Sequence, residues 1–360
     1  MFTELKYNLI TLRNWALLNW KRHRINSQYQ SLKNRSNSTI CRLDQSTIPN
    51  KKNEIRLFAI MRNESLRLPY FINYYKNLQV DRFFLLDNAS TDQSVELALA
   101  EKNVHVFSTG DAYRNHWYWM EHLLETYGKN HWCVVVDIDE LLSFPNAENL
   151  SIRDMCQFLE QTESTALRAL LLDLYSDQAI RDISYQPGQN PLEVVPYFDT
   201  SHYEVTFPYF DRKNWKTFDS THYTGGMRER IFGKSTPITS LNKFPLFQNS
   251  SGTYLGQGMH AINGAWVSDL QGVVFHTKFL QDFIQEAEEE SIREQHFNKA
   301  SYYKDFNRKL TQTPDLCLAN QDSVRFQDSA QLVELGLMKT NPQFEKFARE
   351  KKRIHSLDVL

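Results

Sequence analysis

From Ile55 onward the sequence alternates between short apolar runs and stretches with helical spacing, separated by polar turns. This alternation is typical of consecutive strand–helix–strand units, whose strands form a largely parallel sheet. The apolar runs predict strands over residues 56–61, 82–87, 104–108, 132–137 and 166–172, and the helical stretches begin near Pro69, Gln93, Arg114 and Ser151. We therefore expect an α/β fold with a mostly parallel, Rossmann-like sheet flanked by helices.

The ends of the chain differ from this region in composition. Residues 1–54 carry ten Lys/Arg against three Asp/Glu, although the whole chain has a net charge of −2. Leu5, Leu9, Leu12, Ala16 and Trp20 share one face of a predicted helix, which either lies on an anionic membrane surface or packs on the protein's own body. Residues 26–53 are predicted to be a polar linker, and residues 281–360 a C-terminal helical region.

Several classes of protein are disfavoured by composition. No segment has the uninterrupted apolar length of a membrane span, and the N-terminus lacks the pattern of a signal peptide. Four widely spaced cysteines favour free thiols in a reducing compartment. The basic arm has no recognisable nucleic-acid motif, so no nucleic-acid partner is expected. We predict a cytoplasmic protein. The alternative is a protein attached peripherally to the inner face of the membrane through residues 1–24.

Polar side chains follow three of the predicted strands. Carboxyl ends of parallel strands meet at one edge of a sheet, where ligands bind. Asp137 and Asp139 end the apolar run 134–136, and in an extended strand both side chains point the same way. Two carboxylates there suit a hard divalent cation that also binds phosphate oxygens; the alternative is a solvated strand end. Asp87 either contacts a nucleobase or ribose or begins an Asx-turn.

These segments resemble the glycosyltransferase family 2 superfamily, specifically a family-2-like bacterial branch with a GT-A-type fold. The resemblance covers about residues 55–279 and rests on three segments, Ala59-Ile60-Met61-Arg62-Asn63-Glu64, Leu86-Asp87-Asn88-Ala89-Ser90-Thr91-Asp92 and Val136-Asp137-Ile138-Asp139-Glu140. It implies a nucleotide-sugar-binding half over residues 55–172 and an acceptor-side half over residues 173–280.

The resemblance also implies roles for individual residues. Asp137 and Asp139 would bind Mn²⁺ or Mg²⁺, with His276 either completing the metal shell or serving as a core histidine. Arg228, after Gly225-Gly226, would contact phosphate or lie on the surface. The donor-binding residues implied are Ala59, Met61, Arg62, Asn63, Glu64, Asp87, Asn88, Ser90, Asp92, Ile138 and Arg228.

The catalytic motif of better-known family members is absent from this sequence. An inverting transfer needs a base within reach of the acceptor hydroxyl. The candidates are Asp173, Asp177, Glu229 and His260, with Asp173 favoured because the apolar run 170–172 carries it to the same edge of the sheet.

The sequence thus predicts a metal-dependent, inverting glycosyltransferase for surface polysaccharide assembly. Its donor would be a nucleotide-sugar, with UDP as the expected nucleotide, and its acceptor a glycan or a lipid-linked glycan. A phosphohydrolase of the haloacid dehalogenase type also ends a strand in Asp-x-Asp, but there on the first strand and with Thr or Val where this chain has Leu141. A non-catalytic carbohydrate-binding or scaffold protein is the other alternative.

Overall fold

A computed structural model of the 360-residue chain describes residues 30–201, 203–206, 222–233, 240–256, 259–295 and 297–357. The predicted basic helix of residues 1–24 lies outside the described residues, as does most of the segment 197–223 in the predicted acceptor-side half. Residues 30–37, predicted as part of a polar linker, are helical.

The strands are β1 (Cys41–Arg42), β2 (Ile55–Met61), β3 (Arg82–Asp87), β4 (Val104–Ser108), β5 (Trp132–Val135), β6 (Glu140–Ser143), β7 (Ala166–Asp173), β8 (Tyr197–Asp199), β9 (Tyr203–Thr206), β10 (His222–Gly225), β11 (Asn242–Gln248), β12 (Tyr254–Gly256), β13 (Ala261–Asn263), β14 (Val267–His276) and β15 (Ser323–Arg325).

The helices are α1 (residues 30–37), α2 (Leu68–Asn77), α3 (Ser94–Leu99), α4 (His116–Leu123), α5 (Ile152–Gln161), α6 (Pro191–Val194), α7 (Gly226–Phe232), α8 (Phe283–Arg293), α9 (Phe297–Gln312), α10 (Ser329–Glu334) and α11 (Pro342–Leu357). The helical C-terminal region predicted from the sequence is confirmed by α8 to α11.

Nine strands form one sheet in the order β1-β4-β3-β2-β5-β11-β7-β14-β6. Parallel pairing joins β4, β3, β2 and β5, and also β7 with β14. The strands β1, β6 and β11 run the other way. Six of the nine strands therefore share one direction, which confirms the predicted α/β, Rossmann-like fold with a mostly parallel sheet.

The order of the first parallel strands creates a crevice. From β2 the chain builds β3 and then β4 on one side, and it returns to place β5 on the other side of β2. Such a reversal is a topological switch point, where loops leave the carboxyl ends of two neighbouring strands in opposite directions. The binding crevice of a fold like this is thus expected between the ends of β2 and β5.

Both faces of the parallel strands are buried, as expected for a sheet covered by helices. Alternate residues contribute to two hydrophobic clusters: Leu57 and Phe83 belong to one, and Phe58 and Phe84 to the other. The rings of Phe58 and Phe84 stack with centroids 4.8 Å apart. This double burial explains why the strands read as continuous apolar runs in the sequence.

Two features of the sheet differ from the sequence-based expectation. The strand β5 ends at Val135, so Asp137 and Asp139 lie in the turn between β5 and β6 and not in an extended strand. The chain must leave the sheet there, because β6 pairs with β14 at the far edge. In addition, β11, which was not among the individually predicted strands, lies antiparallel between β5 and β7.

Other expectations concern the covalent state and the membrane. All four cysteines are free, as predicted. None of the helices in the part of the chain that the structure describes has an apolar stretch long enough to reach across a bilayer.

Candidate functional site

A cleft of about 560 Å³ opens at the predicted switch point. One wall comes from the ends of β2 and β5, and the opposite wall from α8, α9 and the end of β14. The charged and aromatic residues lining it include Arg62, Glu64, Arg67, Asp92, Tyr113, Asp137, Asp139, Arg228, His276, Lys278, Asp282, Glu286, Glu289, Glu290, Arg293, Tyr302, Tyr303 and Phe306. Met61, Asn63 and Ile138 also line it.

The loops that follow β2 (residues 62–66) and β3 (residues 88–93), here called the paired loops, are joined by side-chain to backbone hydrogen bonds. The Asn63 amide oxygen accepts from the Thr91 N–H at 2.8 Å, and the Ser90 hydroxyl accepts from the Asn63 N–H at 2.9 Å. The Asp92 carboxylate accepts from the Ser65 N–H at 3.0 Å. The polar residues of the two sequence motifs therefore fix the shape of this wall.

Several predicted donor-binding residues support the wall from behind. Asp87 is buried and accepts from the N–H of Ser90, three residues later, at 3.2 Å, so its carboxylate stabilises the start of the second of the paired loops. Asn88 is buried and donates to backbone carbonyls of residues 109 and 111. Ala59, Asp87, Asn88 and Ser90 do not line the cleft. Ala59 lies inside β2 with its methyl group in the core, and the Ser90 hydroxyl is used within the paired loops.

Arg62 crosses from one of the paired loops to the other. Its Nη1 donates to the carbonyls of Asn88 at 2.6 Å and Ala89 at 2.9 Å. Burial and the nearby Arg293 both lower the pKa of Arg62. Two guanidinium groups that share one part of the cleft favour an anion between them.

The two acids after β5 have different surroundings. Asp137 is half-exposed, and the Lys243 ammonium lies 3.6 Å from its carboxylate. The same ammonium lies 2.7 Å from the buried Glu140. Burial raises the pKa of Glu140, although Lys243 opposes this. Asp139 is mostly buried and lies 3.2 Å from His276 Nε2.

Four charged side chains form a row that ends at Asp139. The Arg228 guanidinium donates twice to Asp173, at 2.7 and 2.6 Å. His276 Nδ1 lies 2.8 Å from the same Asp173 carboxylate, and His276 Nε2 faces Asp139. Burial alone would raise the pKa of Asp139 and Asp173, but the cations beside them lower it for both carboxyls. Burial and the nearby Arg228 lower the pKa of His276, but Asp139 and Asp173 together outweigh them, so this pKa is raised.

The sequence-based reasoning missed a second group of charges on the opposite wall. Lys278 pairs with Glu286 and lies 4.0 Å from Asp139. Arg67 pairs with Asp282 through two hydrogen bonds and thereby ties the start of α2 to the start of α8. The acidic run 286–290 was not among the predicted site residues. Its spacing of three and four residues on α8 was the available signal, since it places Glu286, Glu289 and Glu290 on neighbouring positions.

Glu64 is a partly buried carboxyl in this cleft. Its Oε2 atom has no hydrogen-bond partner, and the nearest cation is Arg67 at 3.6 Å. Burial raises the pKa of Glu64 well above its usual value, and the neighbouring Asp139 adds to the increase. A carboxyl group with a raised pKa in a cleft is a feature of functional sites as well as of structural charge clusters.

The four candidate bases are not equivalent. Asp173 ends β7 at the predicted edge of the sheet, but both of its oxygens accept hydrogen bonds and it does not line the cleft. Asp177 is exposed beyond that edge. His260 Nδ1 donates to the backbone carbonyl of Asn242 in β11, 2.8 Å away. Asp177, Glu229 and His260 also do not line the cleft, so the structure brings none of these three to the acid pair.

The adjacent glycines before Arg228 serve the protein's own packing. Gly225 and Gly226 both have positive φ, at 98° and 70°. A Cβ on Gly226 would lie 2.8 Å from the ring of Tyr203. These glycines let α7 begin close to β9, which directs Arg228 towards Asp173.

The donor types at the acid pair fit the predicted cation. Asp137, Asp139 and His276 line the same cleft, and the Asp139 carboxylate and His276 Nε2 are adjacent. Among the described residues no three His, Cys, Asp or Glu side chains form a complete metal site by themselves. Mg²⁺ and similar ions in phosphate-transfer sites are commonly held by one or two carboxylates plus substrate phosphates, and this donor set matches that pattern.

Comparison with known proteins gives no relative from sequence: no protein-family profile matches the chain, and no curated protein matches it. Among solved structures, the chain is similar to the crystal structure of a 4-diphosphocytidyl-2C-methyl-D-erythritol synthase. The sequence identity is 16%, the match covers 39% of this chain and 67% of that chain, and the TM-score is 0.24. A TM-score this low carries no information about the fold or activity of the present chain.

Proposed function

We propose that this protein is a metal-dependent glycosyltransferase with a nucleotide-sugar donor. The observation that carries the proposal is the position of the acid pair. Asp137 and Asp139 follow β5 at the switch point, beside the end of the neighbouring strand β2. In open α/β sheets this crevice is where nucleotides bind.

The cleft lining holds more carboxylates than cations, so a diphosphate ligand would need the metal together with the cations placed near it. The guanidinium groups of Arg62 and Arg293 share one part of the cleft. Arg228 and Lys278 bring positive charge beside Asp139. Cations and a metal together would stabilise the charge that develops on a diphosphate leaving group.

Within the proposal, Asp137, Asp139 and His276 would hold Mn²⁺ or Mg²⁺, which would act as a Lewis acid on the diphosphate. Arg62, Asn63 and Glu64 would border the nucleoside. The acceptor would be a glycan or a lipid-linked glycan, and transfer would invert the anomeric centre. Membrane attachment through residues 1–24 stays a prediction, since these residues lie outside the described part of the chain.

A nucleotide-binding experiment tests the proposal directly. The thermal unfolding midpoint is measured with UDP, GDP, CMP and dTDP, each with and without Mn²⁺ or Mg²⁺. A ligand that binds only the folded state stabilises it by about 2.7 kcal/mol at one hundred times its Kd. We expect one nucleotide to raise the midpoint only when a metal is present.

Two variants make this experiment specific. Asp139→Asn keeps the shape of the side chain and removes its charge, so it should abolish the metal-dependent shift. Asp177→Asn makes the same change on an exposed residue outside the cleft and should leave the shift intact. If no nucleotide raises the midpoint with either metal, the proposed function is wrong.

With the nucleotide identified, the activity itself is measured as release of the nucleoside diphosphate from a panel of its sugar conjugates. Release that needs the metal and is lost in Asp139→Asn supports glycosyl transfer. Release of inorganic phosphate from a generic phosphomonoester would support a phosphohydrolase instead.

A further inference from the structure

Asp173 occupies an unusual place for a residue first considered as a base. Its carboxylate is almost fully buried, with the side chain 4% exposed. The Oδ2 atom accepts from Arg228 Nε, and the Oδ1 atom accepts from Arg228 Nη2. His276 Nδ1 lies 2.8 Å from the same Oδ1 atom. An acceptor hydroxyl therefore has no free oxygen of Asp173 to which it could transfer a proton.

These contacts define the orientation of the His276 ring. An ionised carboxylate only accepts hydrogen bonds, so the hydrogen shared with Asp173 must be carried by Nδ1. The Arg228 Nη2 atom also lies 3.0 Å from Nδ1, but it is closer to the Asp173 oxygen, at 2.6 Å. The other ring nitrogen, Nε2, faces the cleft and lies 3.2 Å from Asp139.

We propose that Asp173 is a positioning residue: together with Arg228 it orients His276 so that Nε2 is the nitrogen offered to the cation held by Asp139. The inference rests on the proposed function for the identity of that cation. A carboxylate behind a metal-binding histidine fixes both the tautomer and the ring orientation, and its loss typically weakens metal binding 10- to 100-fold. The same pairing accounts for Arg228, whose guanidinium neutralises the buried carboxylate.

The chain offers a matched control on the same helix. Arg230, two residues after Arg228 on α7, donates to Asp199 through Nε and Nη2, both at 2.8 Å. The Asp199 side chain is also 4% exposed, but its additional partner is the Tyr175 hydroxyl and not a histidine. Asp199→Asn thus weakens an equally buried Asp–Arg pair while leaving His276 unchanged.

The first measurement is Mn²⁺ affinity, by calorimetric titration of the protein saturated with the nucleotide that stabilises it. Asp173→Asn should weaken Mn²⁺ binding about 10- to 100-fold. Asp199→Asn should change it by less than about twofold, because a pair remote from the histidine affects folding and not the metal. Equal weakening in both variants, or no weakening in Asp173→Asn, would overturn the inference.

The second measurement needs neither metal nor nucleotide. The protein has 11 histidines, and nitrogen-15 NMR of ¹⁵N-histidine-labelled protein identifies His276 by the signal lost in His276→Gln. In the metal-free protein both ring nitrogens of His276 face an ionised carboxylate, so in the wild type and in Asp199→Asn both should carry a hydrogen, whereas in Asp173→Asn only Nε2, beside Asp139, should keep one. An Nδ1 without a hydrogen in the wild type would disprove the positioning role. If Nδ1 carries a hydrogen as expected but no nucleotide or metal binds, the proposed function fails while the orientation of His276 by Asp173 stands.

Discussion

Polar residues of the paired loops are held differently from the charged side chains at the ends of β7, β11 and β14. The latter are here called the charged row and comprise Asp139, Glu140, Asp173, Arg228, Lys243 and His276. In the paired loops, Asn63, Ser90 and Asp92 accept hydrogen bonds from backbone N–H groups. At the ends of β7, β11 and β14, Asp173, Lys243 and His276 pair with other charged side chains. In the paired loops the charges of Glu64 and Arg67 are 3.6 Å apart, whereas the second region brings opposite charges to within 2.6–2.8 Å of each other.

This difference shows how each of the two regions contributes to the stability of the protein. Side-chain to backbone bonds are satisfied locally and set the shape of a loop. Buried charges need partners, and removing one partner leaves the other uncompensated. We therefore expect the paired loops to tolerate substitution better than the charged row.

The largest effect is expected from Lys243→Met. Lys243 is buried, and its ammonium lies 2.7 Å from the buried Glu140 carboxylate. Breaking a buried ion pair costs about 3–5 kcal/mol. The free energy of unfolding, measured in urea, should fall by this amount. In the double variant Lys243→Met/Glu140→Gln part of the loss should be recovered, and a cost below about 1 kcal/mol in the single variant would contradict the comparison.

In the paired loops, Asp92→Ala should cost less, about 1.5–3 kcal/mol, the usual range for hydrogen bonds to a charged group. Asp92 accepts from the Ser65 N–H and from Ser94. Burial opposes ionisation, but these hydrogen bonds lower the pKa of Asp92 below its usual value. Since the folded pKa is the lower one, the contribution is present above the unfolded pKa near 3.9 and is lost as the pH falls through the folded value. Urea unfolding at pH 7 and at pH 3 should show the difference between wild type and variant shrinking in acid.

Glu64→Gln should change the pH dependence of stability in the opposite direction to Asp92→Ala. Burial raises the pKa of Glu64, so the folded state binds more protons than the unfolded state above about pH 4.3. Ionisation of Glu64 therefore reduces stability as the pH rises, by at most about 1.4 kcal/mol per pH unit for a single group. A series of urea titrations should show the free energy of unfolding of the variant increasing relative to that of the wild type as the pH rises from 4 to the folded pKa of Glu64. A constant difference across that range would show that Glu64 ionises normally.

The smallest effect is expected from Ala89→Gly. Ala89 has φ of 56°, a left-handed conformation that costs a residue with Cβ about 1–2 kcal/mol. Glycine removes this backbone cost, but it loses more conformational entropy on folding, which costs about 0.5–1 kcal/mol. The net increase in the free energy of unfolding should therefore stay below about 1 kcal/mol. The matched variant is Ala100→Gly, where φ is −73° and the same substitution should destabilise the protein. Thermal unfolding of the two variants side by side measures the contrast.

The first half of the sheet was predictable because its signals are local. The observed β3 and β4 have the predicted bounds, and β2 and β7 differ by one residue each at one end. Their residues are buried on both faces, which makes each strand an apolar run readable without knowledge of its partners. The carboxylates that follow these strands could be placed at one edge for the same reason.

Partners in the charged row could not be predicted, because they are distant in sequence. Arg228 meets Asp173 across 55 residues, and His276 meets Asp173 across 103. The role of Asp173 changed once these partners were known: a carboxylate at the correct edge of the sheet proved to be enclosed by two cations. Likewise, β11 is hard to recognise as a strand, because Lys243 and Pro245 interrupt its apolar pattern. Its position in the sheet also depends on the edges of β5 and β7, which are formed by other parts of the chain.

The position of β11 has a consequence for the order in which the chain folds. Its neighbours β5 and β7 are synthesised first, and neither pairs with the other in the final sheet. Until residues 242–248 leave the ribosome, each of them keeps an unpaired edge, and such edges recruit strands from other molecules. A chain that stops before residue 242 therefore lacks the strand that joins the two halves, and aggregation rather than a stable smaller domain is its expected fate.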